Sequence, residues 1–228
     1  MDQHEKMETM FALQARLNDE TNGPGWREGV TKQGKVVNWR RCIVMETAEL
    51  IDSFPWKHWK SIDAQVDREN VKIELVDIWH FVMSEALRCK PMEEAVAMAM
   101  AKPADEAPLR LPERWDREAD RRLDAYLAPY EALMAEALRE EGSVEALTAT
   151  FWRALTAAGM AFDELYRLYI GKNALNQFRQ MHGYKEGTYQ KVWRGREDNA
   201  VMQAILAENS DIGYDELLQA LEAEYAAL

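Results

Sequence analysis

Cysteine is nearly absent: Cys42 and Cys89 are the only two in 228 residues, both within helical patterns and in no CxxC spacing. That points to a reducing compartment and two buried thiols. No apolar run approaches the ~20 residues needed to span a membrane. The N-terminal MDQHEKMETM has no apolar stretch of signal-peptide length, so a cytoplasmic protein without an export signal is expected. Basic residues are in deficit, 28 Lys+Arg against 40 Asp+Glu, for a net charge of −12. An overall negative field argues against general nucleic-acid binding, although it leaves room for a local basic pocket. There is no GxxxxGK[ST] phosphate loop, no internal repeat and no low-complexity tract. With 47% hydrophobic and 30% charged residues, the composition is that of a folded chain. Its length suffices for one large core or two small ones.

The stretch from Trp39 to Phe81 organises the rest. It holds two acidic pairs within apolar helical sequence, Glu46 with Glu49 and Glu74 with Asp77. Each pair is spaced i, i+3, which puts both side chains on one side of a helix, about 60° apart. Glu46 sits within the apolar line Trp39, Ile43, Leu50. A carboxylate on a core-facing stripe is costly unless paired or metal-bound. Four carboxylates aimed into one cleft repel one another unless cations lie between them, and the natural partners are hard, oxygen-seeking cations such as Mg²⁺, two or more per site. For Glu49 and Asp52 the plain alternative is a solvated face.

Helical periodicity begins at residues 3–20, where Met7, Met10, Phe11, Leu13 and Leu17 form an apolar face. Gln14 and Asn18 continue the Met7–Phe11 line. They read either as a solvated edge or as a neutral hydrogen-bonding edge able to read a base. The Gly-rich TNGPGWREGVTKQGKVVN is a loop with a small hairpin at Gln33-Gly34, and Asn38 caps the helix that follows. Pro55 ends that helix. FPWKHWK then packs Trp56, His58 and Trp59 together, which reads as core or as aromatic cover for a flat heterocycle. Residues 71–83 are apolar nearly all round, so their helix is central, yet Glu74, Asp77, His80, Phe81 and Ser84 line one side of it. A lone His80 reads more readily as a satisfied core histidine than as a ligand. Residues 89–112 break the pattern at Pro91, Pro103, Pro108 and Pro112. Over 113–141 Pro129 is expected to kink or divide a helix, and Gly142-Ser143 marks a stop and a new cap. One or two helices follow over 144–171, and one amphipathic helix closes the chain at 210–228. The chain thus reads as a single all-α domain: residues 1–99 and 166–228 form a rigid core, and 100–165 a helical insertion or mobile subdomain.

From Lys172 to Arg196, six Lys/Arg stand against one acid, Glu186. That is a net +5, leaving −17 for the remainder. A concentrated positive segment in an acidic chain suggests either a polyanionic ligand of limited size or a surface patch pairing with the acidic helices. Lys172, Asn176 and Arg179 share one helical face, and Gly183 and Gly187 bracket a tight turn. Carboxylates for Mg²⁺ and cations for phosphates are together what phosphoryl or nucleotidyl chemistry needs.

These residues carry a family resemblance. E46-T-A-E49 followed by E74-L-V-D77 is similar to the metal signature of the all-α nucleoside triphosphate pyrophosphatases. LNDETNG, NWRRCIVMETAELIDSFPWKHWK, ENVKIELVDIWHF and KNALNQFRQMHGYKEGTY resemble the dimeric dUTPase family. The likeness covers residues 8–88 and 166–199; the middle third shares only helicity. It implies an all-α helical bundle of the pyrophosphatase type, a homodimer, and hydrolysis of dUTP to dUMP and pyrophosphate, with dUDP also accepted. Glu46, Glu49, Glu74 and Asp77 correspond to the metal ligands, with Glu49 the base toward the attacking water. The resemblance further implies that Gln14 and Asn18 bond the uracil edge, with Trp56 or Trp59 close to the base. His80 and Phe81 sit by the deoxyribose, where Phe81 leaves no room for a 2′-hydroxyl. Lys172, Asn176, Arg179, Tyr184, Lys185, Lys191 and Asn199 reach phosphates or sugar.

Three other readings compete. A related pyrophosphatase acting on dCTP keeps the same site, because a flippable amide serves uracil or cytosine alike. A di-iron carboxylate bundle is echoed by Asp77 and His80 at i, i+3, but no second such motif appears. A non-catalytic helical scaffold has no need of four inward carboxylates.

Overall fold

The structure, a computed structural model, describes residues 1–61, 63–101, 109, 111–209 and 212–228. Its organising element is α3 (Arg68–Cys89), capped by Asp67, whose carboxylate accepts from the Asn70 amide. Because this helix is apolar nearly all round, it is buried on almost every side. Trp79 at its middle meets Phe11 edge-on at 6.1 Å and stacks on Phe151 at 4.7 Å. Those rings come from α1 (Gln3–Asn22) and α7 (Val144–Ala157), so one indole ties three helices together.

The first acidic helix, α2 (Trp39–Asp52), runs antiparallel to α3. At one end Arg40 Nε donates to Glu85 Oε1 at 3.1 Å; at the other the Asp67 amide donates to Ser53 O at 2.9 Å. Asn38 caps it through the Arg41 amide, as its position predicts. The line Trp39, Ile43, Leu50 is buried, with Thr47 beside it. The turn at Gly34 closes a small antiparallel bridge between Val30 and Val36, matching the expected hairpin.

Several expectations need correction. Residues 89–112 contain a helix, α4 (Met92–Met100), because Pro91 stands at its N-cap, where a missing N–H costs nothing. The Pro103 and Pro108 breaks lie outside the described residues. The helix over 113–141 divides at Arg122, into α5 (Arg117–Arg121) and α6 (Leu123–Leu138), and α6 runs on through Pro129. Ser143 caps α7 as expected. Of the two thiols, Cys42 is half-buried and Cys89 is exposed, since Cys89 is the last residue of α3. α6 packs against α2 and α7 against α3, and Tyr130, Leu133, Phe151 and Trp152 join the same core as Trp79.

The long helix α8 (Phe162–Met181) packs against α1 and α3. Gly183 and Gly187, both at positive φ, then turn the chain, with the Thr188 amide donating to Gly183 O at 3.0 Å. A two-stranded hairpin, β1 (Val192–Trp193) with β2 (Arg196–Glu197), leads into α9 (Asp198–Glu208), and α10 (Tyr214–Tyr225) closes the chain. Sequence periodicity foresaw α10 but not the hairpin or α9.

Candidate active site

A cleft of about 390 Å³ is lined from four helices: α1 supplies Gln14, Asn18 and Thr21, α2 supplies Trp39 and Glu46, α3 supplies Asp77, His80 and Phe81, and α8 supplies Lys172, Asn176 and Arg179. Tyr184 completes one wall. The volume falls in the ordinary range for a small-molecule site.

At one end the acidic helices converge. A ligand oxygen from each of Glu46, Glu74 and Asp77 lies within 4.8 Å of the others. Burial first, then the charges of Asp77 and Glu49, push the Glu46 carboxyl up to about 7. Burial, then Asp77 and Glu46, push Glu74 up to about 8. Carboxylates this close repel one another unless cations lie among them. An all-oxygen donor set of this kind fits a hard divalent ion, Mg²⁺ above all. Glu49, one turn beyond Glu46, is exposed and stands outside the trio. It faces the neighbouring depression with Asp52, Lys57 and Lys60, yet lies near enough for its charge to act on Glu46 and Glu74.

Next to the trio stands Lys172. It is buried, with Nζ 2.8 Å from Asp77 Oδ2 and 2.9 Å from Asn199 Oδ1. Arg179 is also buried, but committed. Its Nε and Nη2 each donate at 2.8 Å to the Asp198 carboxylate, its Nη1 reaches Asn176 at 3.2 Å, and its guanidinium lies over the Tyr184 ring. Asp198 is fully buried and accepts in addition from the Tyr189 hydroxyl and the Asn199 amide. Burial alone raises its pKa, but the hydrogen bonds and charge of Arg179 win, holding it below the usual carboxylate range.

At the far end Gln14 and Asn18 are buried side by side. His80 donates from Nδ1 to Val76 O, 2.8 Å away, and burial pulls its pKa down to about 4, so the ring is neutral. Phe81 stacks on Trp39 with centroids 6.0 Å apart. Three buried polar atoms that find no partner among the described residues belong to side chains of this cleft: Thr21 Oγ1, Trp39 Nε1 and His80 Nε2. Such gatherings mark a place where a polar ligand supplies the missing bonds.

The dUTPase_2 family (dUTPase) matches residues 6–184, well over half of the chain. The chain belongs to the dUTPase family. The acidic pairs, the amide pair and α8 all fall inside the match, whereas Asp198 and α10 lie beyond it. Membership makes the protein a nucleotide pyrophosphohydrolase, a dUTP diphosphatase in broad terms. Among curated proteins none matches the chain. No helix among the described residues is long and apolar enough to cross a membrane.

Besides Glu49, which faces the neighbouring depression, and Glu74, which meets Glu46 and Asp77 in the trio, five residues expected at the site do not line the cleft. Trp56 and Trp59 are 37% and 63% exposed and pair edge-on with each other, with Trp56 Nε1 donating to Asp52. Lys185 donates to Thr21 O, Lys191 pairs with Glu197 at 3.7 Å, and Asn199 reaches the site only through Lys172. The tryptophan in the wall is Trp39, which periodicity reads simply as core. Asp198 was missed as well: in the string Glu197-Asp198-Asn199 it looks like solvated charge, and only the tertiary fold buries it against Arg179.

Proposed function

We propose that this dUTPase-family enzyme hydrolyses dUTP to dUMP and pyrophosphate with Mg²⁺, and that dUDP is also a substrate. The observation that carries the reading is one cleft with three converging carboxylates at one end and a buried amide pair at the other. Glu46, Glu74 and Asp77, joined by Glu49 at the rim, would hold the ions. Bound Mg²⁺ would neutralise the polyphosphate and acidify an attacking water. Glu49 takes the proton from that water as general base; its exposure leaves it fully hydrated and free to turn toward the trio. Lys172, Asn176, Arg179 and Tyr184 would meet the phosphates, with Lys172 the cation nearest the carboxylate trio. Neutral His80 and the Phe81 ring border the deoxyribose, with Phe81 against C2′. Gln14 and Asn18 bond the uracil edge. For Trp56, Trp59, Lys185, Lys191 and Asn199 to reach the nucleotide, the 53–67 loop and the arm after Gly183 must close over it. A homodimer and a cytoplasmic location belong to the same reading and rest on the family resemblance.

The test is pyrophosphate release from dUTP, dCTP, dTTP and UTP. The expected result is rapid cleavage of dUTP to dUMP, with UTP and dTTP poor. Equal rates for UTP and dUTP would contradict the role given to Phe81. A preference for dCTP would keep the site and replace the base.

A further inference from the structure

The amide pair in the cleft is not free to turn. Behind it, one helical turn beyond His80, stands Ser84, which is fully buried and does not itself line the cleft. Its hydroxyl donates to His80 O at 2.7 Å. With that proton committed, the oxygen can only accept, and it does so twice: from Gln14 Nε2 at 3.0 Å and from Asn18 Nδ2 at 2.9 Å. Gln14 Nε2 also reaches Asn18 Oδ1 at 3.1 Å. On the other side the Tyr169 hydroxyl lies 3.2 Å from Gln14 Oε1 and 2.9 Å from Met10 O, and accepts from Asn173 Nδ2.

Each alternative orientation fails at two contacts. Turning Asn18 sets its carbonyl against a Ser84 oxygen with no proton to give, and its amine against the Gln14 amine. Turning Gln14 sets its carbonyl against both Ser84 Oγ and Asn18 Oδ1. Buried networks of this kind are cooperative, and mispaired members are costly. Asn18 is therefore left with one N–H of Nδ2 and one lone pair of Oδ1 for a ligand, in a fixed arrangement.

From this we infer that Ser84 is a positioning residue that sets base selectivity: it locks Asn18 and Gln14 in the orientation that matches the donor N3–H and acceptor carbonyls of uracil. Cytosine carries an acceptor at N3 and a donor amine at C4. A freely turning amide adapts to either pattern; a locked one, with the base held in place by the sugar, does not. The inference deepens the dUTP reading and rests on it.

The experiment compares kcat/KM for dUTP and dCTP in the wild-type chain and in Ser84→Ala, with thermal unfolding as a check on the fold. The wild type is expected to prefer dUTP, and Ser84→Ala to lower the dUTP-to-dCTP ratio about tenfold or more, the scale of one buried mispaired hydrogen bond. A purely structural role would depress both substrates together and leave the ratio alone. A folded Ser84→Ala protein with the wild-type ratio overturns the inference. Should that variant not fold, Tyr169→Phe, which releases Gln14 Oε1, carries the test: a lowered ratio supports the lock and an unchanged one overturns it. Wild-type preference for dCTP overturns the match to uracil while leaving the enzyme in place. Cleavage of neither nucleotide sinks the dUTP reading itself.

Discussion

Glu49 is separated from Glu46 by a single helical turn, and that turn decides their chemistry. Glu46 is half-buried in the trio with its pKa pushed up to about 7; Glu49 is exposed at the rim. In the proposed reaction a carboxylate at the rim would be suited to collect a proton, whereas Glu46 and Glu74 would be suited to ligation. Glu49→Gln is expected to abolish turnover while leaving the fold and much of the nucleotide binding intact, as read by pyrophosphate release and by titration calorimetry with a non-hydrolysable analogue. Turnover within about tenfold of wild type would remove Glu49 as an essential base. The spacing of these four acids was legible in the sequence. Which of them converge was not, because i, i+3 spacing gives directions around one helix and says nothing of how two helices cross.

Among the elements, the junction of α8 with α9 fixes the basic side of the cleft. Arg179 reaches the cleft from α8 only as far as Asp198, the first residue of α9, allows. Breaking a buried, hydrogen-bonded ion pair by neutralising one partner strands the other charge. Asp198→Asn is therefore expected to cost about 3 kcal/mol of unfolding free energy in urea denaturation. The pH dependence follows from the sign of the shift. Asp198 is lowered in the folded protein, so its contribution is present in full above the unfolded carboxylate pKa and is lost as pH falls through the folded value. Wild type is expected to lose this component on acidification, and Asp198→Asn to lack it; equal acid sensitivity and unchanged stability would contradict the pairing. Sequence reading placed Arg179 on one helical face with Lys172 and Asn176, and all three line the cleft, but its counter-ion Asp198, nineteen residues further on, leaves no local signature. Likewise α4 was hidden by Pro91, which interrupts a helix in mid-course but is tolerated at its start.

Across the whole molecule, an apolar helix central to the core carries much of the candidate site. α3 holds Glu74, Asp77, His80, Phe81 and Ser84 along one side while Trp79 on another anchors α1 and α7. The core anchor and the polar stripe of the candidate site thus lie on opposite sides of one element, and that placement was readable from its all-round hydrophobicity and polar stripe. The texture of residues 100–165, rich in Arg, Glu and Ala, concealed how fully Tyr130, Leu133, Phe151 and Trp152 enter the common core, because sparse apolar anchors look weak until their partners on α2 and α3 are known. In the proposed function the carboxylate trio holds divalent cations that drive dUTP cleavage. The measurement that tests it most directly is pyrophosphate release from dUTP across a Mg²⁺ titration, with EDTA as the zero point, in wild type and in Glu74→Gln. The account predicts saturable Mg²⁺ dependence, no turnover in EDTA, and at least a tenfold weaker apparent Mg²⁺ affinity or rate in folded Glu74→Gln. Cleavage that persists in EDTA, or that is unaffected by Glu74→Gln, would contradict it.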